Sequence, residues 1–276
     1  MFVGCPAEQP QRGDPSWAAA RRASPPAHDP PAIHADPLPS QTVEIPGGNY
    51  RSFFPGKDEP ERFEVGPFGL EVHAVTNAQY LRFVLANPKW RRSAVRRIFA
   101  DENYLRDWAS DTEHGEGLAD RPAVYVSWFA ARAYARWVGR RLPTLQEWEY
   151  VAAASEAVAD ATGEAEHNQR ILDWYSAPSP ATLPPVCSTP RNHFGVYDMH
   201  GLIWEWVENF NTALVTGESR GDTGLERSLF CGAGSIGSAN PADYAAFMRF
   251  AFRSSLQASY TVKNLGFRCA TNSGNE

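Results

Sequence analysis

Hydrophobic and polar positions alternate in two different ways along this chain, and the change of period marks its elements. Thr42-Val43-Glu44-Ile45 alternates with a period of two, as a half-buried strand does, and Pro46-Gly47-Gly48 follows as a turn. The run RFEVGPFGLEVHAVTNAQYLRFVLANPKW then reads strand, turn, strand, helix. Thr76 or Asn77 caps that helix, Tyr80, Leu81, Val84 and Leu85 give its apolar stripe, and Pro88 ends it. A second helical tract begins after Ser127, with Ala130, Ala133, Tyr134 and Trp137 on one face. Leu142-Pro143-Thr144 opens a third, where Thr144 and Glu147 form a capping box. That box accounts for Glu147 more simply than an acid/base role does, although Glu147 and Glu149 together also suggest one.

Between these tracts the periodicity fails. Residues 1–40 are dense in proline and alanine, without an apolar repeat, and predict a disordered arm or tether ahead of one domain over 41–276. Residues 155–190 are polar and proline-rich and predict a long surface excursion. The basic run at 90–97 has the spacing of a solvated helix face. Twenty-one glycines, twenty-two prolines and a 12% aromatic share favour a loop-rich, irregular α+β fold over a regular bundle. The hydrophobic share of 43% supports a packed core. A net charge of -6 without a basic stripe argues against nucleic acid. No apolar run is long enough to span a membrane.

Four cysteines stand at 5, 187, 231 and 269, and none forms a Cys-x-x-Cys pair, so a paired-thiolate zinc site is not supported. Phe2-Val3-Gly4-Cys5 has the shape of the end of a bacterial lipoprotein signal. With an upstream start, Cys5 would be a lipid-anchored first residue in the cell envelope or periplasm; as a chance tetrapeptide, it leaves a cytoplasmic chain equally open. Asp198 and Glu205 flank a glycine at a spacing of seven, and two carboxylates with turned-in carbonyls would make an all-oxygen calcium site. The same residues could equally bond backbone amides. His193, Met199 and His200 raise a copper alternative, although adjacent side chains tend to point apart.

Five stretches in order, VEIPGGNY, VTNAQYLRF, PAVYVSWFAARAYARWVGRRLPTLQEWEYVAAA, NHFGVYDMHGLIWEW and GAGS with FRSSL…NLGFRCA, resemble the formylglycine-generating enzyme, or sulfatase-modifying factor, family over residues 42–271. The resemblance implies an irregular α+β fold related to the C-type lectin fold. It implies calcium held by the side chains of Asp198 and Glu205 and the carbonyls of Gly201 and Ile203. A second calcium is not expected, because the segment that would hold it is shortened. The resemblance also implies a substrate cleft at Trp204, Ser235 and Arg253, altered at its rim by Leu202. Family oxidases bind copper(I) through two cysteines that follow the serine. Here Gly237 holds the first position and no cysteine lies near the second, at 240–245, while Cys231 precedes the serine on the wrong side of the turn. Cys269 matches a buried structural cysteine. The implied reading is an accessory or maturation protein that binds a peptide or protein partner, similar to the subgroup found with copper nitrite reductases. The alternative is a copper or non-haem-iron oxidase of peptidyl or small thiols, with His193, His200, Met248 or Cys231 as unusual ligands.

Overall fold

The computed structural model describes residues 40–51, 62–211 and 241–273. The proline- and alanine-rich arm, Cys5, Cys231, Ser235 and Gly237 lie outside the described residues. Strand β1 (Thr42–Ile45) pairs antiparallel with β4 (Phe68–Glu71), Thr42 opposite Glu71 and Ile45 opposite Phe68. The other edge of β4 takes β7 (Ala270–Asn272), antiparallel, so the two ends of the domain close on one central strand. That central position explains why β4 is buried at every residue rather than alternating. Strands β2 (Gly48–Arg51) and β3 (Arg62–Val65) pair separately, with Gly48 opposite Val65. A third, two-residue parallel pair joins β5 (Trp204–Glu205) to β6 (Leu265–Gly266). The closeness there demands glycine, since a Cβ on Gly266 would lie 2.5 Å from the Ala123 carbonyl oxygen.

Helix α1 (Asn77–Ala86) starts on a capping box: Thr76 accepts from the Gln79 amide, and the Gln79 side chain accepts from Thr76. Its buried face is Tyr80, Phe83 and Val84, while Leu85 is 47% exposed, so the stripe sits one position from the expected one. Helix α2 (Trp128–Trp137) is capped by Ser127, as its sequence predicts. Ala130, Ala131, Tyr134 and Ala135 turn inward, and Trp137 remains 43% exposed, stacking its edge on Phe83 and Tyr134. Helix α3 (Leu145–Ala152) has the full Thr144–Glu147 box, and Arg141 binds the Glu147 carboxylate with two 2.7 Å bonds. Glu147 is therefore fixed as a cap.

Tyr80, Tyr134 and Phe267 form the centre of the core, with ring centroids 5.3–6.0 Å apart. The buried hydroxyl of Tyr80 meets that of Tyr104 at 2.8 Å, which satisfies a polar atom that would otherwise be costly.

Two expectations change. The basic run after Lys89 forms no α-helix; a 3-10 turn at Pro88–Trp90 passes into successive bends. Pro88 sets that start, and Arg92 spends its guanidinium on the Trp108 carbonyl oxygen at 2.9 Å. The 155–190 segment contains a helix, α4 (Ala165–Ser176), with His167, Asn168 and Ile171 buried. It packs on α5 (Pro241–Ser254), a partner that no local pattern in 155–190 reveals.

Candidate functional site

Cleft and loop meet at β5. The loop that leads into it is built on left-handed backbone. Asp198 has φ +58° and Gly201 φ +98°. A side chain on Gly201 would press on Thr189, its Cβ 2.9 Å from the Thr189 Cγ2. For Asp198 the strain is offset by hydrogen bonds. Its amide donates to Thr189 Oγ1, and its carboxylate accepts from the Thr189 amide and hydroxyl, all at 2.9 Å, and from the Cys187 amide at 2.5 Å. These donors pull the Asp198 acid down, but burial outweighs them and its pKa is raised.

Glu205 is held differently. Arg268 reaches it with Nε and Nη2 at 2.8–3.0 Å, and Trp148 Nε1 donates to Oε2 at 2.8 Å. Both side chains of the ion pair are fully buried. Arg268 also donates to the carbonyls of Glu71 and Tyr197. Glu71 is paired with Arg140 and accepts from the Cys269 amide at 2.7 Å. Burial pushes Glu71 up to about 7, against the pull of Arg140 and of that amide.

This chemistry bears on calcium in two ways. The donors at 198, 201, 203 and 205 are oxygens, and among the described residues no guanidinium bonds the buried Asp198 carboxylate, so that half of the loop fits a hard cation. Glu205 already accepts four bonds on its two oxygens, so an ion would have to share an oxygen now bonded to Trp148 or Arg268. Among the described residues, no three His, Cys, Asp or Glu side chains gather around a common point to hold a metal.

Trp204 lies in a ring cluster. Tyr175 stacks on it at 4.9 Å and 20°, Phe252 at 4.5 Å and 31°, and Trp174 at 5.5 Å and 35°. These rings come from α4 and α5, and all four are partly exposed. Arg253 does not face an open cleft. It is 6% exposed, pairs with Glu149, and lies 4.6 Å over the Trp148 ring. Arg249, one turn earlier, binds the same carboxylate through Nε and Nη2 and donates to the Tyr175 hydroxyl at 3.2 Å. Desolvation alone would raise the Glu149 acid, but Arg249 and Arg253 bring it down to about 2. A carboxylate ionised that firmly cannot act as a proton donor near neutral pH.

Sequence reasoning therefore locates Trp204, Arg253, Asp198 and Glu205 in one region but misses what fixes them. Arg249, Tyr175 and Arg268 are the missing members, and Glu149, which with Glu147 suggests an acid/base role in the sequence, is instead the ion-pair partner of Arg249 and Arg253. Only the i, i+4 spacing of Arg249 and Arg253 hinted at a shared acceptor. His193 is exposed at the edge of the Phe194 ring, apart from this cluster's inner wall. Both described thiols are buried and free, and burial pushes Cys187 up to about 12 and Cys269 well above its ordinary value, so neither is a thiolate at neutral pH.

An irregular α+β domain with this β5 loop and this closing strand defines a class, and comparison with known proteins gives its family. Residues 30–273 match the model described as "Sulfatase-modifying factor enzyme 1-like domain", and the chain belongs to that family. It is similar to "Formylglycine-generating enzyme" of Mycobacterium tuberculosis, 30% identical over 61% of this chain and 73% of that one. It is 26% identical to "Inactive C-alpha-formylglycine-generating enzyme 2" of Bos taurus, over 84% of this chain and 88% of that one. A match to "Serine/threonine-protein kinase pkn1" of Chlamydia caviae is 30% identical over 64% of this chain. The chain spans only 29% of that kinase's length.

Proposed function

We propose that this chain is a non-thiol member of its family: an accessory or maturation protein of a bacterial cell envelope that binds a peptide or protein partner. The observation that carries the reading is Gly237 at the place of the first copper thiol, with no cysteine between 232 and 268. Copper(I) at that place needs soft donors, and glycine has no side chain to give. The partly exposed rings of Trp174, Tyr175, Trp204 and Phe252 support the binding half of the reading, since clustered aromatics anchor apolar side chains of a partner. Cysteine-containing peptides incubated with the protein, copper(I) and oxygen should keep their thiols; turnover to an aldehyde would overturn the reading. Peptide pools titrated against the protein should shift its tryptophan emission, and Trp204→Ala should remove the shift.

Calcium belongs to the same proposal. The ion would sit against Asp198 and the carbonyls of Gly201 and Ile203, with Glu205 as a shared ligand. An ion that binds only the folded chain raises the melting temperature by mass action. Chelation should therefore lower Tm, and Asp198→Asn should abolish both bound calcium and that response. Absence of calcium in metal analysis of wild-type protein, with Tm unchanged by chelator, would remove the ion from the proposal.

A further inference from the structure

Charge is spread unevenly over this chain. Its net charge is -6, yet residues 72–100 hold six cations without an Asp or Glu, and residues 121–146 hold five on the same terms. The fold brings these two stretches together. Helix α1 packs on α2 through Phe83 and Tyr134, with ring centroids 5.7 Å apart. From there a row of rings runs Trp137, Phe83, Trp90, Phe99, neighbouring centroids 5.7–6.2 Å apart. The three most exposed large apolar side chains among the described residues lie on this row or within two residues of it: Trp137, Leu85 and Ile98, the last 60% exposed. Ile98 is held there by its turn. The amides of Phe99 and Ala100 both donate to the Arg96 carbonyl oxygen, at 2.8 and 3.3 Å, and Phe99 is anchored edge to face on Phe129. Arg132, Arg140 and Arg141 are spent on Glu208, Glu71 and Glu147. Lys89, Arg96, Arg97 and Arg136 are exposed. Glu102 comes only within 4.0 Å of Arg97, both side chains largely exposed, which is too loose a contact to neutralise it.

We propose that this face, with Trp137, Leu85 and Ile98 among Lys89, Arg96, Arg97 and Arg136, rests on an anionic phospholipid surface. The mixture decides the partner. Lysine and arginine gain from lipid phosphates, while tryptophan, leucine and isoleucine gain by entering the boundary between headgroups and acyl chains. A nucleic acid would satisfy the cations through its phosphates and leave Leu85 and Ile98 in water. The acidic remainder of the chain is repelled by the same surface, so the field turns this face toward it. The protein would lie on the membrane and not cross it. This inference does not rest on the peptide-binding reading, and either can fail without the other.

The test is co-sedimentation with vesicles of equal parts phosphatidylglycerol and phosphatidylcholine. It uses the full chain with Cys5→Ser, so that no lipid anchor contributes. Binding is expected at low salt, should weaken as salt rises, and should be lost on pure phosphatidylcholine. Arg96→Gln with Arg97→Gln should weaken it about 25-fold, roughly fivefold for each cation. Ile98→Asp should weaken it about tenfold or more. Brominated lipid should quench tryptophan emission of the parent protein, and Trp137→Phe should remove most of that quenching. This readout still decides if a charge variant fails to fold by circular dichroism. No binding to the anionic vesicles, or binding that the Arg96, Arg97 and Ile98 variants leave unchanged, would overturn the proposal. So would retention of duplex DNA or polyglutamate without vesicle binding, which would give the face to a phosphate backbone or an acidic polypeptide instead.

Discussion

Two buried ionic clusters flank β5, and they are mirror images in charge. Beneath the strand, Glu71, Asp198 and Glu205 share Arg140 and Arg268, which leaves one negative charge over. Beside it, Glu149 serves both Arg249 and Arg253, which leaves one positive charge over. The carboxylates respond in opposite directions. Burial lifts Glu71 to about 7, whereas the two guanidiniums bring Glu149 down to about 2. The anionic cluster can shed its excess by holding a proton or taking up a cation; the cationic one cannot release a proton, because arginine does not deprotonate. The calcium proposed above would fall at the first, while the second is a fixed wall that positions α5 against Trp204.

Breaking the anionic cluster at Arg268 should have the largest effect. Arg268→Met removes the only guanidinium on Glu205 among the described residues and strands a fully buried carboxylate, at a cost of about 3–5 kcal/mol. Urea denaturation should show that loss, or no folded protein. The double variant Arg268→Met with Glu205→Leu should recover part of it, because no charge is left buried, although Trp148 Nε1 and the carbonyls of Glu71 and Tyr197 each lose a partner. If the single variant loses under about 1 kcal/mol, the pair is not the fixed centre described.

The pH dependence of stability separates the two clusters next. Glu149 has a folded pKa below its ordinary 4.5, so its contribution is fully present above pH 4.5 and is lost as pH falls toward 2. Glu71 has a folded pKa above 4.5, so the folded chain holds the extra proton and stability falls as pH rises from 4.5 to about 7. Thermal melts should show a rise in Tm from pH 2 to 4.5 that Glu149→Gln flattens, and a decline from 4.5 to 7 that Glu71→Gln flattens. Calcium at Asp198 would favour the ionised carboxylates and weaken the second slope. Identical slopes in parent and variants would show that neither carboxylate is perturbed.

What the sequence reveals divides along the same line. The caps at Thr76, Ser127 and Thr144 are legible because their partners lie within four residues. So is the family's ordered run of short motifs. The ionic clusters join residues 63 to 104 positions apart, and no periodicity encodes such a pairing. Helix α4 escapes notice for a related reason: its mean character is polar, and its buried side is defined only by α5 and the loop at His200. The one-residue shift in the α1 stripe follows from Phe83, whose ring packs on Tyr134 and Trp90 from elsewhere in the chain.

The smallest effect should come from the local feature most plainly written in the sequence. Thr144→Ala removes the hydroxyl that accepts from the Glu147 amide, while the Glu147 carboxylate keeps its bond from the Thr144 amide and its two bonds from Arg141. Half of the capping box survives, so the loss should be about 1 kcal/mol, several-fold below that of Arg268→Met. Because α3 carries Trp148 and Glu149, loosening its first turn also tests how far the cationic wall depends on it. If that wall is fixed by its own ion pairs, Thr144→Ala should shift Tm slightly and leave the acid slope between pH 4.5 and 2 intact. Loss of the acid slope in this variant would mean that the helix cap, rather than the Arg249–Glu149–Arg253 pairing, sets the geometry beside Trp204.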